Sequence, residues 1–170
     1  MIHGAGANHL YWPPQLRRHP EYRVFAVDLP GHGKSAGIGR HRIEDYVDDV
    51  TAFMAEAGLN SAVWIGHSMG GAIALQAALQ SPSRVLGLVL IGTGARLRVD
   101  ETLLHWASRE TGFAAAIKRI GDRSFSRYCD QSLREQAVRR MTEMRPTVLS
   151  GDLLACDAFD ASRRLSEIVA

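Results

Sequence analysis

Ser68 stands between two glycines in "GHSMG", Gly66 to Gly70, at the end of an apolar run. A hydroxyl in that setting can do nucleophilic acyl chemistry. The pattern Gly-x-Ser-x-Gly puts serine on a sharp strand-to-helix turn, where neighbours two positions away must lack bulk. Gly66 and Gly70 fill those places. The competing reading is a Gly-rich turn with an inert serine, and the strand and helix patterns on either side argue against it. Serine is a weak nucleophile unless a base touches it and an acid orients that base.

Three runs have the composition of strands. "YRVFAVDL", Tyr22 to Leu29, is β-branched and aromatic and ends at Pro30-Gly31. "SAVWIGHS", Ser61 to Ser68, and "VLGLVLIG", Val85 to Gly92, are continuous apolar runs, as in parallel strands buried on both faces. Between the first two, Ile43, Tyr46, Val47, Val50, Phe53, Met54 and Ala57 share one stripe of a helix. Glu44, Asp45, Asp48 and Asp49 face water near its start, and Gly58 closes it. A second helix, Met69 to about Gln80, is Ala-rich and apolar all round, so it is expected to be buried; Pro82 follows it. Alternating strands and helices give a parallel α/β sheet. From about Asp100 onward only helical periodicity remains, broken by Gly112, Gly121, Pro146 and Gly151, which reads as a helical lid.

"DLPGHGKS" imitates two phosphate-binding motifs and fails both. A P-loop needs glycine where Asp28 stands. "GHGKSA" fits a dinucleotide fingerprint, but "GIGRHR" occupies the place of the first helical turn and no acid lies at the right distance. Asp28, His32 and Ser35 are expected to brace the rim of the site instead.

At 170 residues, 46% of them hydrophobic and 22% charged, the chain has the make-up of one globular domain. The net charge is +2, and the arginines are scattered rather than gathered in a stripe, so no nucleic-acid partner is expected. Cys129 and Cys156 sit in no metal-ligand or disulfide spacing, which points to a reducing, cytoplasmic compartment and no metal. The longest apolar stretch is too short to cross a bilayer, and no leader-like segment precedes the first motif. The chain opens on "MIHGAGANHLYW", with two residues before a His-Gly motif, so the beginning of a larger domain is expected to lie outside it.

Four segments, in order, resemble the α/β-hydrolase family, in its lid-bearing serine esterase-like branch. "HGAGANHLYW" is similar to the oxyanion turn after the third strand and "FAVDLPGHGKS" to the loop after the fourth. "GHSMGG" resembles the nucleophile elbow and "VLGLVLIGTGA" the sixth strand. The tail "DLLACDAFDASRRLSEIVA" looks like final lid helices leading into a seventh strand. The resemblance implies a partial parallel sheet flanked by helices, with the first strands and the last two outside the chain. It divides the chain into a core fragment, residues 1–97, and a helical cap, residues 98–170. The third strand would lie between the fourth and fifth, reduced here to Met1 to His3, leaving a poorly paired seam prone to aggregation.

The resemblance also assigns roles. Ser68 is the nucleophile, and the backbone N–H groups of Ala5 and Met69 form the oxyanion hole. Gly4 and Gly6 let the backbone approach the substrate. His3 and His67 flank the motifs and are expected to hold loops by hydrogen bonding, since side chains beside an elbow point away from the pocket. In this fold the acid and then the histidine follow the serine. His105 is the sole histidine after Ser68, with Asp100 and Glu101 one turn before it, and is read as packing beside Trp106. Asp152, Asp157 and Asp160 are poor substitutes for the acid. Base and acid are therefore expected beyond Ala170, and the chain alone to be inactive.

The activity implied is cofactor-free hydrolysis of a small acyl substrate: an ester, thioester, lactone or, less often, a carbon–carbon bond beside a ketone. The alternative is a non-catalytic, ligand-binding member of the same fold. Leu103, Leu104, Trp106, Phe113 and Ile120 either line an apolar acyl pocket or pack the lid onto the body. The oligomeric state has no signature in the sequence.

Overall fold

The structure is a computed structural model and describes residues 1–169. Its sheet is parallel, but its two apolar strands are not buried on both faces as their composition predicts, since Val63, Leu86, Val89, Leu90 and Ile91 are exposed. Strand β1 (Ala62–His67) runs beside β2 (Val85–Ile91), with pairs from Val63↔Gly87 to His67↔Ile91. On the other side of β1 lies Ile2, which bridges both Gly66 and Val27 in parallel. Ile2 N–H donates to the Ile65 carbonyl at 2.8 Å, and His67 N–H returns a bond to Ile2 at 3.1 Å. The opening tripeptide thus lies between the segment around Val27 and β1, in the place the resemblance gives the third strand.

The run Tyr22–Leu29 does not form the strand its composition predicts. It has a bridge at Val27 and a bond from Val27 N–H to the Met1 carbonyl at 3.1 Å. A strand needs a ladder, and the neighbouring backbone here is short. High β-propensity cannot replace the missing partner.

Around the sheet stand a short turn of helix, α1 (Pro14–Arg17), and two longer helices, α2 (Ile43–Glu56) and α3 (Met69–Gln80). Helix α2 buries Ile43, Tyr46, Val47, Val50 and Met54, which lie on one stripe at the helical period. Phe53, at the stripe's edge, meets the Phe25 ring edge-on. The helix ends with Leu59 N–H on the Met54 carbonyl and Gly58 N–H on Ala55, the paired bonds of a Schellman cap. Helix α3 is buried from Met69 to Ala78, as its uniform apolarity requires.

The chain leaves this body at Ala95–Leu97 and returns at Phe159–Ala161. The two crossings pair in antiparallel fashion at Arg96 and Asp160, and Ala161 N–H bonds Ala95 at 2.7 Å. Between them lie α4 (Glu101–Ala107), α5 (Phe113–Ser124), α6 (Gln131–Thr142) and α7 (Pro146–Ala158). Asp100 and Asp130 cap α4 and α6 by accepting from the amides two and three residues on. Pro146 opens α7, where a missing N–H costs nothing.

Gly121 and Gly151 do not break helices; they lie inside α5 and α7. A methyl group at Gly121 would stand 2.6 Å from the Val138 side chain, and one at Gly151 would press on His41 and the Arg40 carbonyl. Each glycine lets a helix approach its neighbour closely.

Leu103, Ala107, Ile117, Met141, Leu149 and Leu153 form a second apolar cluster among these four helices. Helix α7 serves both clusters, because Ala155 and Cys156 pack into the main core. Replacing Ile73, fully buried on α3, by alanine is expected to lower stability by about 2–5 kcal/mol. Leu86→Ala, at a position 67% exposed on β2, should change it by less than about 0.5 kcal/mol. Urea denaturation measures both.

Candidate active site

Ser68 joins β1 to α3 with φ 52° and ψ −116°, and is the one non-glycine residue with positive φ among the described residues. Such a conformation costs about 1–3 kcal/mol and persists where surrounding structure imposes it. Here Ser68 N–H is tied to the Ile91 carbonyl at 2.9 Å, across to β2. Its own carbonyl accepts from Gly71 and Ala72, starting α3.

The flanking glycines are steric necessities. A Cβ on Gly66 would fall inside the Gly70 carbonyl, and one on Gly70 would overlap the Ile2 and His3 carbonyls. Gly71, which the sequence reading passed over, is crowded in the same way by the Thr93 side chain.

The turn after Ile2 lies directly against the serine: a Cβ on Gly4 would be 3.2 Å from that of Ser68. The Gly4 carbonyl accepts from Ala7 N–H at 3.1 Å and from His3 Nδ1–H at 2.9 Å. The amides of Ala5 and Met69 find no acceptor within hydrogen-bond reach among the described residues. Ala5 and Ser68 open onto one cavity of about 610 Å³. Its walls include Trp12, Leu16, Leu103, Ile120 and Met141, and Arg98, Asp100 and Arg123 are charged members. Leu104, Trp106 and Phe113 pack against the second apolar cluster only, while Leu103 and Ile120 both line the cavity and pack with that cluster.

His3 holds its loop as expected. It is buried, donates from Nδ1 to Gly4 and accepts at Nε2 from Leu29 N–H at 3.1 Å. Burial, then the charge of His32, pushes its pKa down to about 4. His67 differs from expectation. It is exposed, lies near Gly4 and Gly92, lines the same cavity as Ser68 rather than pointing away from it, and has no hydrogen bond among the described residues, so it does not hold its loop in that way. His105 is exposed on α4 and does not line the cavity.

Asp28, His32 and Ser35 do not reach the cavity rim. Asp28 accepts from the His9 and Lys34 amides and from the His9 ring, closing the loop that contains them. His32 lies deeper, with its side chain and that of Asp152 both at 0% exposure and 2.8 Å apart. Its other nitrogen faces the Pro30 carbonyl at 3.0 Å. Burial opposes a charge on this ring, but Asp152 outweighs it and the pKa is raised. Asp157 caps the Val99 amide and Asp160 pairs with Arg96. No cluster of three or more metal-ligating side chains occurs among the described residues, and no helix there is long and apolar enough to cross a membrane.

A parallel sheet with a strained serine between strand and helix is the architecture of the α/β hydrolases. The family model for the alpha/beta hydrolase fold matches residues 1–124, and the chain belongs to that family. A pimeloyl-[acyl-carrier protein] methyl ester esterase from Sodalis glossinidius is 31% identical over 157 residues, covering 88% of this chain and 58% of that protein. One of the same description from Aliivibrio salmonicida is 39% identical over 102 residues, 59% of this chain and 38% of that one. The chain thus spans about 38% to 58% of the length of these relatives. Among solved structures, a thermophilic esterase superposes with TM-score 0.79 at 31% identity, over 95% of this chain and 61% of its own. An esterase from Exiguobacterium antarcticum, 19% identical, shares the fold with TM-score 0.85 over 99% of this chain and 69% of its own.

Gly70→Ala should cost more than about 3 kcal/mol or prevent folding, since backbone stands where the methyl would go; a thermal melt reads this. The two buried histidines give opposite pH limbs. Stability from neutral His3 is full above about 6.5 and is lost as pH falls toward about 4. Stability from charged His32 is present below 6.5 and is lost as pH rises through its raised pKa. His3→Gln should flatten the acid limb of a melting-temperature profile, and His32→Gln the limb above it.

Proposed function

We propose that the protein is a serine hydrolase acting on a carboxylic ester or related acyl substrate. Ser68 is the nucleophile, and the Ala5 and Met69 amides form the oxyanion hole. Gly4, Gly6, Gly66 and Gly70 shape the two turns. The observation that carries this reading is the imposed positive φ of Ser68 at the mouth of an apolar cavity, beside two amides without acceptors. In the reaction, Ser68 Oγ attacks the acyl carbon and its proton passes to a base. The carbonyl oxygen gains charge against the two N–H groups, a donor arrangement that typically contributes about 10²–10³ in rate per group. The alcohol leaves with a proton, and water then releases the acid.

In this reading residues 1–97 form the body and residues 98–170 the cap that closes over the acyl chain. The relatives named as methyl ester esterases support a small alkyl leaving group, and the apolar walls suit an aliphatic acyl chain. His3 has both ring nitrogens engaged, His105 lies outside the cavity, and His67, though it lines the cavity, makes no hydrogen bond to Ser68, so none of the three is an engaged base. The base and its acid are therefore proposed to come from a part of the protein outside these residues.

The absence of an engaged base beside Ser68 among the described residues favours, as a second reading, a ligand-binding protein without turnover. Fluorophosphonate labelling separates the two. The protein extended with its flanking coding sequence should label at Ser68, and Ser68→Ala should abolish both label and ester hydrolysis. The 170 residues alone should hydrolyse esters about 10⁴–10⁶-fold more slowly. An extended protein that neither labels nor hydrolyses would leave the ligand-binding reading standing.

A further inference from the structure

Asp152 on α7 meets three donors and no solvent. Oδ2 accepts from the His32 ring at 2.8 Å and from the Gly6 amide at 3.0 Å, while Oδ1 accepts from the Tyr46 hydroxyl at 2.6 Å. Tyr46 in turn accepts from Arg40 N–H at 2.9 Å. One carboxylate thus joins the helix between the two cap crossings, the loop after Leu29, helix α2 and the turn carrying Ala5. Burying such a charge is costly, and a core of this size could fill the space with apolar side chains instead. The ionic group gives direction, since it grips one peptide N–H beside the site.

We propose that Asp152 is a positioning residue for the oxyanion turn, coupling the seat of the cap helix α7 to the aim of the Ala5 amide. A trans peptide is planar, with its C=O and N–H antiparallel. The Gly4 carbonyl is held by His3 and Ala7, so the Ala5 N–H of the same peptide points the opposite way. The next peptide is held by its own N–H, Gly6 on Asp152. Both planes flanking Ala5 are thereby pinned from opposite sides, one by the body and one by the cap. Gly6, at φ +70°, permits the turn that brings the Ala7 N–H back onto the Gly4 carbonyl. Displacing α7 would release the second anchor and let the turn rotate, so the hole is formed when α7 is seated.

This inference rests on the hydrolase reading for its catalytic consequence but not for its geometry, and the test separates the two. In uniformly labelled protein, the Gly6 amide proton should resonate downfield and exchange slowly. Asp152→Asn should move it upfield and raise the exchange of the turn at least ten-fold. In the extended, active protein, Asp152→Asn should lower kcat about ten- to a hundred-fold with KM changed less than three-fold. Ile117→Ala, buried in the cap cluster and away from the cavity, is the control for stability alone and should leave kcat per folded molecule within about two-fold. Should Asp152→Asn fail to fold, Asp152→Glu, which keeps the charge but lengthens the reach, should show the same shifted Gly6 resonance and a partial loss of kcat. An unshifted Gly6 resonance, or a kcat loss matched by Ile117→Ala, overturns the proposal. A shifted resonance in a protein that Ser68→Ala shows to have no hydrolysis would overturn the hydrolase reading while leaving the anchor in place.

Discussion

Backbone stands on backbone at the end of β1, and the rest of the site follows from that contact. The first turn of α3 folds back so closely that the Gly70 position meets the carbonyls of Ile2 and His3, while Gly66 meets Gly70 itself. No side chain can enter that junction. The serine between the two glycines therefore has little freedom, and its left-handed backbone is imposed by strand pairing on one side and helix initiation on the other. Core packing of α3 supplies the favourable free energy against which this local strain is small, because nearly every residue of its first three turns is buried. The same contact sets the opening tripeptide against the elbow. The turn carrying Ala5 and the serine are thus neighbours through one junction, although more than sixty residues separate them in the chain.

The second organising element is electrostatic. Two histidine rings lie 4.8 Å apart in the core, and their pKa values are pushed in opposite directions, His3 down and His32 up. The difference comes from their partners. His3 has a backbone acceptor on one nitrogen and a backbone donor on the other, which suits the neutral ring. His32 faces acceptors on both sides, a carbonyl and a carboxylate, which suits the charged one. The charge on His32 helps keep His3 neutral, and so keeps the donor from Nδ1 to the Gly4 carbonyl and the acceptor at Nε2 in fixed roles. Hydrogen bonding in a dry interior thus sets a protonation pattern, and the pattern fixes the orientation of a turn.

Helix α7 gives the molecule its continuity. Its first half packs with helices α4 to α6 and its second half with the core around the sheet, and Asp152 lies between. The two crossings of the chain beside it are paired at Arg96 and Asp160, so helices α4 to α7 join the rest of the fold along one seam. The cavity is accordingly composite. Ser68 and Ala5 come from the turns beside the sheet, while Leu103, Ile120 and Met141 come from α4, α5 and α6.

By itself the sequence determined the elements whose signals are local. The stripe of α2, the uniform apolarity of α3, the two apolar strands and the glycine spacing around Ser68 each depend on residues a few positions apart, so their periods can be read directly. The elbow was legible for the same reason, since its steric demand falls on adjacent residues. Only the tertiary structure decided the features that depend on distant partners. Tyr22–Leu29 has the composition of a strand but forms a single bridge, because strand formation is a property of the neighbouring backbone. Gly121 and Gly151 read as breaks and are instead points of close helix packing. Asp152 carries no local mark of its part: the donors that surround it come from residues 6, 32 and 46, and nothing in its own stretch of chain records that a fold would gather them there.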